Sequence, residues 1–70
     1  MIEQAVEKGI VLEDLSGNRY RVALEGGREL VCYTSGRMKK HHIRVLVGDA
    51  VEVVVDPYGG HATNRITRRL

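Results

Sequence analysis

Residues 50–56 read Ala50-Val51-Glu52-Val53-Val54-Val55-Asp56, with Val51, Val53 and Val55 facing one way and Glu52 and Asp56 the other. A period of two fits a strand with one face in a core. A helix cannot hold it, because successive helical residues point about 100° apart. Pro57 closes the run by withholding a backbone donor.

Several other segments read the same way. Gly9-Ile10-Val11-Leu12-Glu13 is a first strand, and Ser16-Gly17-Asn18 turns the chain. In Arg19-Tyr20-Arg21-Val22-Ala23-Leu24, one face holds Tyr20, Val22 and Leu24 and the other Arg19, Arg21 and Ala23. Glu25-Gly26-Gly27-Arg28 predicts a hairpin, since paired glycines supply the positive φ of tight turns. The returning strand is Glu29-Leu30-Val31-Cys32-Tyr33-Thr34, with Leu30, Cys32 and Thr34 on one side and Val31 and Tyr33 on the other. Both of its faces are partly apolar, and alternation alone does not say which is inside. A last strand spans Thr63 to Arg69 and carries Ile66, after a Gly59-Gly60 loop.

Between the third and fourth strands the alternation stops. Arg37-Met38-Lys39-Lys40-His41-His42-Ile43-Arg44 suits a short helix with Ser35 as its N-cap, and Gly48-Asp49 turns into the next strand. Met38 and one of His41 or His42 are expected to cover an end of the barrel. Five short strands interrupted by a helical piece between strands three and four is the order of an OB-fold barrel. The SH3-like barrel is its competitor, and the interruption favours OB.

Seventy residues lie close to the lower limit for folding without staples, and the lone Cys32 offers no intramolecular disulfide. A reducing compartment, the cytoplasm, is therefore expected. No apolar run reaches bilayer length and no signal-peptide pattern opens the chain. Nearly every apolar residue is needed for the core, so function is expected on the outside rather than in an enclosed catalytic cavity.

Charge is distributed unevenly. Residues 1–35 carry Lys8, Arg19, Arg21 and Arg28 against Glu3, Glu7, Glu13, Asp14, Glu25 and Glu29, a net of −2. Residues 36–70 carry Arg37, Lys39, Lys40, Arg44, Arg65, Arg68 and Arg69 against Asp49, Glu52 and Asp56, a net of +4. Two cationic clusters suggest a footprint for a polyanion, with a solvated surface as the plain alternative. A frayed, solubilising tail is the alternative for the second cluster. Only Tyr20, Tyr33 and Tyr58 are aromatic, too few for a stacking platform, so charge is expected to dominate. His41, His42, His61 and Cys32 make a poor metal set, because adjacent histidines diverge on a helical turn and Cys32 sits in a strand. Neither a cofactor nor an activated nucleophile is read in the chain.

Several blocks together carry a family resemblance. They are Gly9-Ile10-Val11-Leu12-Glu13, Tyr20-Arg21-Val22, Ser35-Gly36-Arg37-Met38-Lys39-Lys40 and Ile43-Arg44-Val45-Leu46-Val47-Gly48-Asp49, followed by Pro57-Tyr58 and Arg65-Ile66. In this order and spacing the chain resembles bacterial translation initiation factor one. The resemblance implies an all-β, five-stranded OB-fold (S1-like) RNA-binding domain over residues 1–70. It implies a non-enzymatic, monomeric factor in the cytoplasm. The factor would bind the small ribosomal subunit at the aminoacyl-tRNA site, touching rRNA and a neighbouring ribosomal protein. Initiation factors two and three would act with it, and no membrane is involved. The residues expected to meet RNA are Arg37, Lys39, Lys40, His42, Arg44, Arg65, Arg68 and Arg69.

The chain departs from the family pattern in places. His41-His42 replaces an Asn-Tyr-like pair, and Arg37 and Lys39 exchange cation types. The loop after Tyr58 is one residue longer and lacks the family lysine. A divergent member or a paralogue is expected.

Overall fold

A computed structural model describes residues 5–56 and 64–70. Its elements are β1 (Ala5–Ser16), β2 (Arg19–Leu24), β3 (Glu29–Thr34), α1 (Gly36–Lys40), β4 (Ala50–Val55) and β5 (Arg65–Arg69). The strands close into a barrel in the order β1-β2-β3-β5-β4, with β4 returning to β1. All pairings are antiparallel except β3 with β5. The expected OB-type barrel is therefore the fold.

β1 is longer than the five-residue strand read from the sequence. Its first half, Ala5 to Ile10, pairs with β4, and its second half, from Gly9 onward, pairs with β2. Gly9 sits where both ladders overlap, opposite Leu24 and Val51. A Cβ placed there would lie 2.6 Å from Val22 Cγ1 and 2.7 Å from the Ala23 carbonyl oxygen. The bare backbone at Gly9 thus lets two strands approach at a barrel corner.

The alternation of β4 puts Val51, Val53 and Val55 into the core. Val22 and Leu24 of β2 join them with Cys32 of β3, Ile66 of β5, Val11, Met38 and Val45. The open question about β3 is answered: Cys32 and Thr34 face inward and Leu30 packs against the core. Full burial of each aliphatic side chain contributes about 1.5–3 kcal/mol. Burial also pushes the Cys32 thiol from an ordinary value of 9.0 up to about 11, because the thiolate would lose its water.

Ser16, Gly17 and Asn18 all take positive φ, making the tight β1–β2 reversal the sequence predicts. The expected β2–β3 hairpin is closed by Leu24 N–H donating to the Arg28 carbonyl at 2.8 Å. Other boundaries differ from the sequence reading as well. The helix ends at Lys40 rather than reaching Arg44, β4 ends at Val55, and β5 begins at Arg65. Pro57, Gly59, Gly60 and Thr63 lie outside the described residues. Buried Asn64 ties the strands together. Its Oδ1 accepts from the Asp56 N–H at 2.7 Å and its carbonyl from the Tyr33 N–H at 2.9 Å.

Candidate nucleic-acid interface

Helix α1 starts where Ser35 Oγ accepts from the Met38 N–H at 3.3 Å, the N-cap bond expected of a serine there. Met38 points inward and is buried, so it plugs the barrel as expected. The end of the helix is a Schellman motif. The His42 N–H donates to the Lys39 carbonyl at 3.2 Å, and the Ile43 N–H to the Met38 carbonyl at 3.0 Å. His42 takes the left-handed conformation at φ +54°, a position usually held by glycine. Both His41 and His42 are exposed, so neither covers the barrel end as expected; Met38 alone fills that role from the helix. The helix stops before the histidines can continue the face of Met38, and the left-handed turn at His42 redirects the chain.

The fold brings the two cationic clusters together. Tyr33 pairs with Arg65, the Ser35 N–H donates to the Ile66 carbonyl at 3.0 Å, and Arg69 Nη1 donates to the Arg44 carbonyl at 3.3 Å. β5 therefore runs beside α1 and the segment after it. A groove between them is lined by Arg37, Met38, His41, Ile43, Thr67 and Arg68. Because Arg65, Arg68 and Arg69 belong to a hydrogen-bonded strand, the frayed-tail alternative for them is set aside.

The cations differ in their partners. Arg37, Lys39, Lys40, Arg44, Arg65 and Arg69 are exposed, and none meets a carboxylate among the described residues. Arg68 lies opposite Glu52 on β4 and pairs with it at 3.3 Å. Of the expected set, it is the one arginine already partly neutralised within the fold.

A second, wider concavity shares Met38 and Ile43 with this groove. Lys39, His42 and Arg44 line it with Asp14, Asn18, Tyr20, Thr34, Ile43 and Leu46. Asp14 is occupied there, accepting from the Ser16 N–H at 2.8 Å. Thr34 is buried, and its hydroxyl finds no hydrogen-bond partner among the described residues. Asn18, Tyr20, Thr34 and Leu46 were not among the residues expected at the site. They come from separate strands and loops, and only barrel closure gathers them, so no local pattern announces them.

Comparison with known proteins shows the family and the fold. The family model described as translation initiation factor 1A / IF-1 matches residues 2–70. A Polynucleobacter asymbioticus protein named translation initiation factor IF-1 2 is 51% identical over 51 residues, covering 73% of this chain and 59% of the relative. The match thus spans about three-fifths of that curated relative's length. The solution structure of translation initiation factor one from the Wolbachia endosymbiont of Brugia malayi superposes with a TM-score of 0.78 at 34% identity. That match covers 96% of this chain and 78% of that one. YjeQ from Thermotoga maritima has a TM-score of 0.77 at 28% identity, over 94% of this chain but only 23% of its own. On the family match across nearly its whole length, the chain belongs to the translation initiation factor 1A / IF-1 family.

Proposed function

We propose that this chain binds the small ribosomal subunit at the aminoacyl-tRNA site through rRNA contacts. There, with initiation factors two and three, it promotes correct initiation of protein synthesis. The observation that carries this reading is the α1–β5 edge, where Arg37, Lys39, Lys40, Arg44, Arg65 and Arg69 gather without carboxylate partners among the described residues. Such an edge is suited to phosphates, and each phosphate neutralised releases condensed counterions. Phosphate contacts position a protein without reading sequence, so selectivity would come from the shape of the folded RNA. Among the described residues stacking plays a small part: Tyr20 packs against the core and Tyr33 is half-buried.

The action proposed is occlusion. A filled aminoacyl site leaves the initiator tRNA only the neighbouring peptidyl site, and no bond is made or broken by the factor. A ribosomal protein beside the site, and the two other factors, are the further partners this reading implies.

Sedimentation with purified small subunits, followed by chemical footprinting of the rRNA, tests it. Co-sedimentation that aminoacyl-site ligands displace, weakening with salt by a log–log slope of roughly 0.7–0.9 per phosphate contact, is the expected result. Equal affinity for unrelated single strands would make the chain a general RNA binder instead. Absence of binding at low ionic strength would overturn the reading.

A further inference from the structure

Just past the basic segment, Leu46 and Val47 stand 56% and 61% exposed. The two are adjacent, and the turn is built to keep them exposed. Asp49 accepts from the Leu46 N–H through Oδ2 at 2.8 Å, and the Asp49 N–H donates to the Leu46 carbonyl at 3.0 Å. Gly48, at φ +95°, supplies the positive φ that a type II turn needs at its third position. The turn is also pinned to β1, where the Gly48 N–H donates to the Val11 carbonyl at 2.8 Å and the Val11 N–H to the Asp49 carbonyl at 3.0 Å. Val45, immediately before, is buried in the core. With both ends fixed, Leu46 and Val47 cannot fold inward.

Their surroundings point to the occupant. Leu46 lines the same concavity as Lys39, His42 and Arg44. The carboxylates nearest in the chain and the cup, Asp49 and Asp14, each accept a backbone N–H and form no ion pair with those cations. An apolar surface flanked by cations free of carboxylate partners suits a polyanion with apolar faces, and folded RNA offers such faces in its bases and riboses. Because the turn is ordered in advance, little conformational entropy is lost on contact.

We infer that Leu46 and Val47 form an apolar contact to folded RNA, packing on ribose and base faces beside the phosphates held by Lys39 and Arg44. The inference rests on the ribosomal reading above and adds to it a contact that does not depend on charge.

The test is binding of the double variant Leu46→Ser/Val47→Ser to small subunits across a salt series, with its melting point compared to the parent. Both side chains are exposed, so the fold is expected to hold. The expected result is a loss of roughly tenfold in affinity at every salt concentration, with the log–log salt slope unchanged. Affinity within twofold of the parent would overturn the inference. In a second arm, Val47→p-benzoylphenylalanine is photo-crosslinked on the subunit. A nuclease-sensitive adduct supports the RNA contact, and a protein adduct overturns it. If the parent itself fails to bind subunits, the ribosomal reading falls; if the parent binds and the double variant binds equally well, this contact alone falls.

Discussion

On the wall formed by β1, β2 and β3, Arg21 meets both Glu13 and Glu29, and Arg28 meets Glu7 at 2.7 Å. Along the edge formed by α1 and β5, Arg37, Lys39, Lys40 and Arg65 meet no carboxylate among the described residues. Exposed ion pairs are worth only about 0–1 kcal/mol each, so the wall gains little stability from its pairs. What the pairing does is offset the charge of Arg21 and Arg28 locally. On the edge the charge is left standing, and Arg37 and Lys40, three apart on one helical turn, repel each other by a few tenths of a kcal/mol. Lys8 and Arg19 are the exposed cations of the wall without a carboxylate partner among the described residues, against six such cations on and beside α1 and β5. A chain with a formal net charge of only +2 thus carries more of its unpaired positive charge on that side.

The largest effect that would break this contrast comes from reversing charge on the edge. Lys39→Glu/Lys40→Glu should weaken binding to small subunits on the order of 100-fold or more and flatten the salt slope by roughly 1.5 or more. Its thermal stability should stay close to the parent, since both side chains are exposed and unpaired among the described residues. Filter binding over a salt series reads both quantities. An unchanged slope would mean that these lysines face water rather than phosphate.

The wall and the edge also differ in how they could be read beforehand. The strands of the wall announce themselves because one face of each is buried and the period of two survives, as in Tyr20, Val22 and Leu24. The first residues of β1 do not, since Val6 is exposed and only backbone pairing with β4 makes Ala5 to Lys8 a strand. On the edge, the cations themselves were legible by their clustering, but their partners were not. That Arg68 is tied to Glu52 follows from the β4–β5 register, which no local pattern encodes. The end of α1 was also hidden. Its stop signal is normally glycine, and here His42 occupies the left-handed position at a cost of roughly 1–2 kcal/mol. Leu46 and Val47 give the opposite difficulty, since apolar residues read as core unless a turn is seen to hold them out.

Next in size is a change that should damage the barrel and spare the edge. Gly9→Ala places a methyl against the Ala23 carbonyl oxygen and Val22 Cγ1, and the backbone atom cannot swing aside. A destabilisation of about 1–3 kcal/mol is expected, read from chemical denaturation. Binding corrected for the folded fraction should be unchanged. A stability equal to the parent would show that β1 and β2 have room the corner geometry denies.

Alkaline pH should act on the barrel interior through Cys32. Its folded value of about 11 lies above the ordinary 9.0, so the fold holds the protonated thiol and the unfolded chain releases its proton first. This contribution is complete below about pH 9 and is lost as pH climbs toward 11. The slope is at most about 1.4 kcal/mol per pH unit. Comparing the parent with Cys32→Ala between pH 8 and pH 11 isolates it from tyrosine and lysine titration. Parallel curves for the two proteins would remove Cys32 from the account, and native-state alkylation at pH 8 should be slow for the same reason.

The smallest effect belongs to the wall's own arginines, and it tests the contrast most directly because charge is removed there as well. Arg21→Ala/Arg28→Ala subtracts two positive charges from the chain, at as many positions as the edge variant alters. If net charge governed binding, this variant would lose affinity in proportion. If only unpaired cations on the α1–β5 edge meet phosphate, its salt slope should match the parent and its affinity should fall less than about twofold. Stability should drop by less than about 1 kcal/mol, because each ion pair removed is largely exposed. A measurable flattening of the salt slope in this variant would place the wall in the interface and erase the distinction between the two regions.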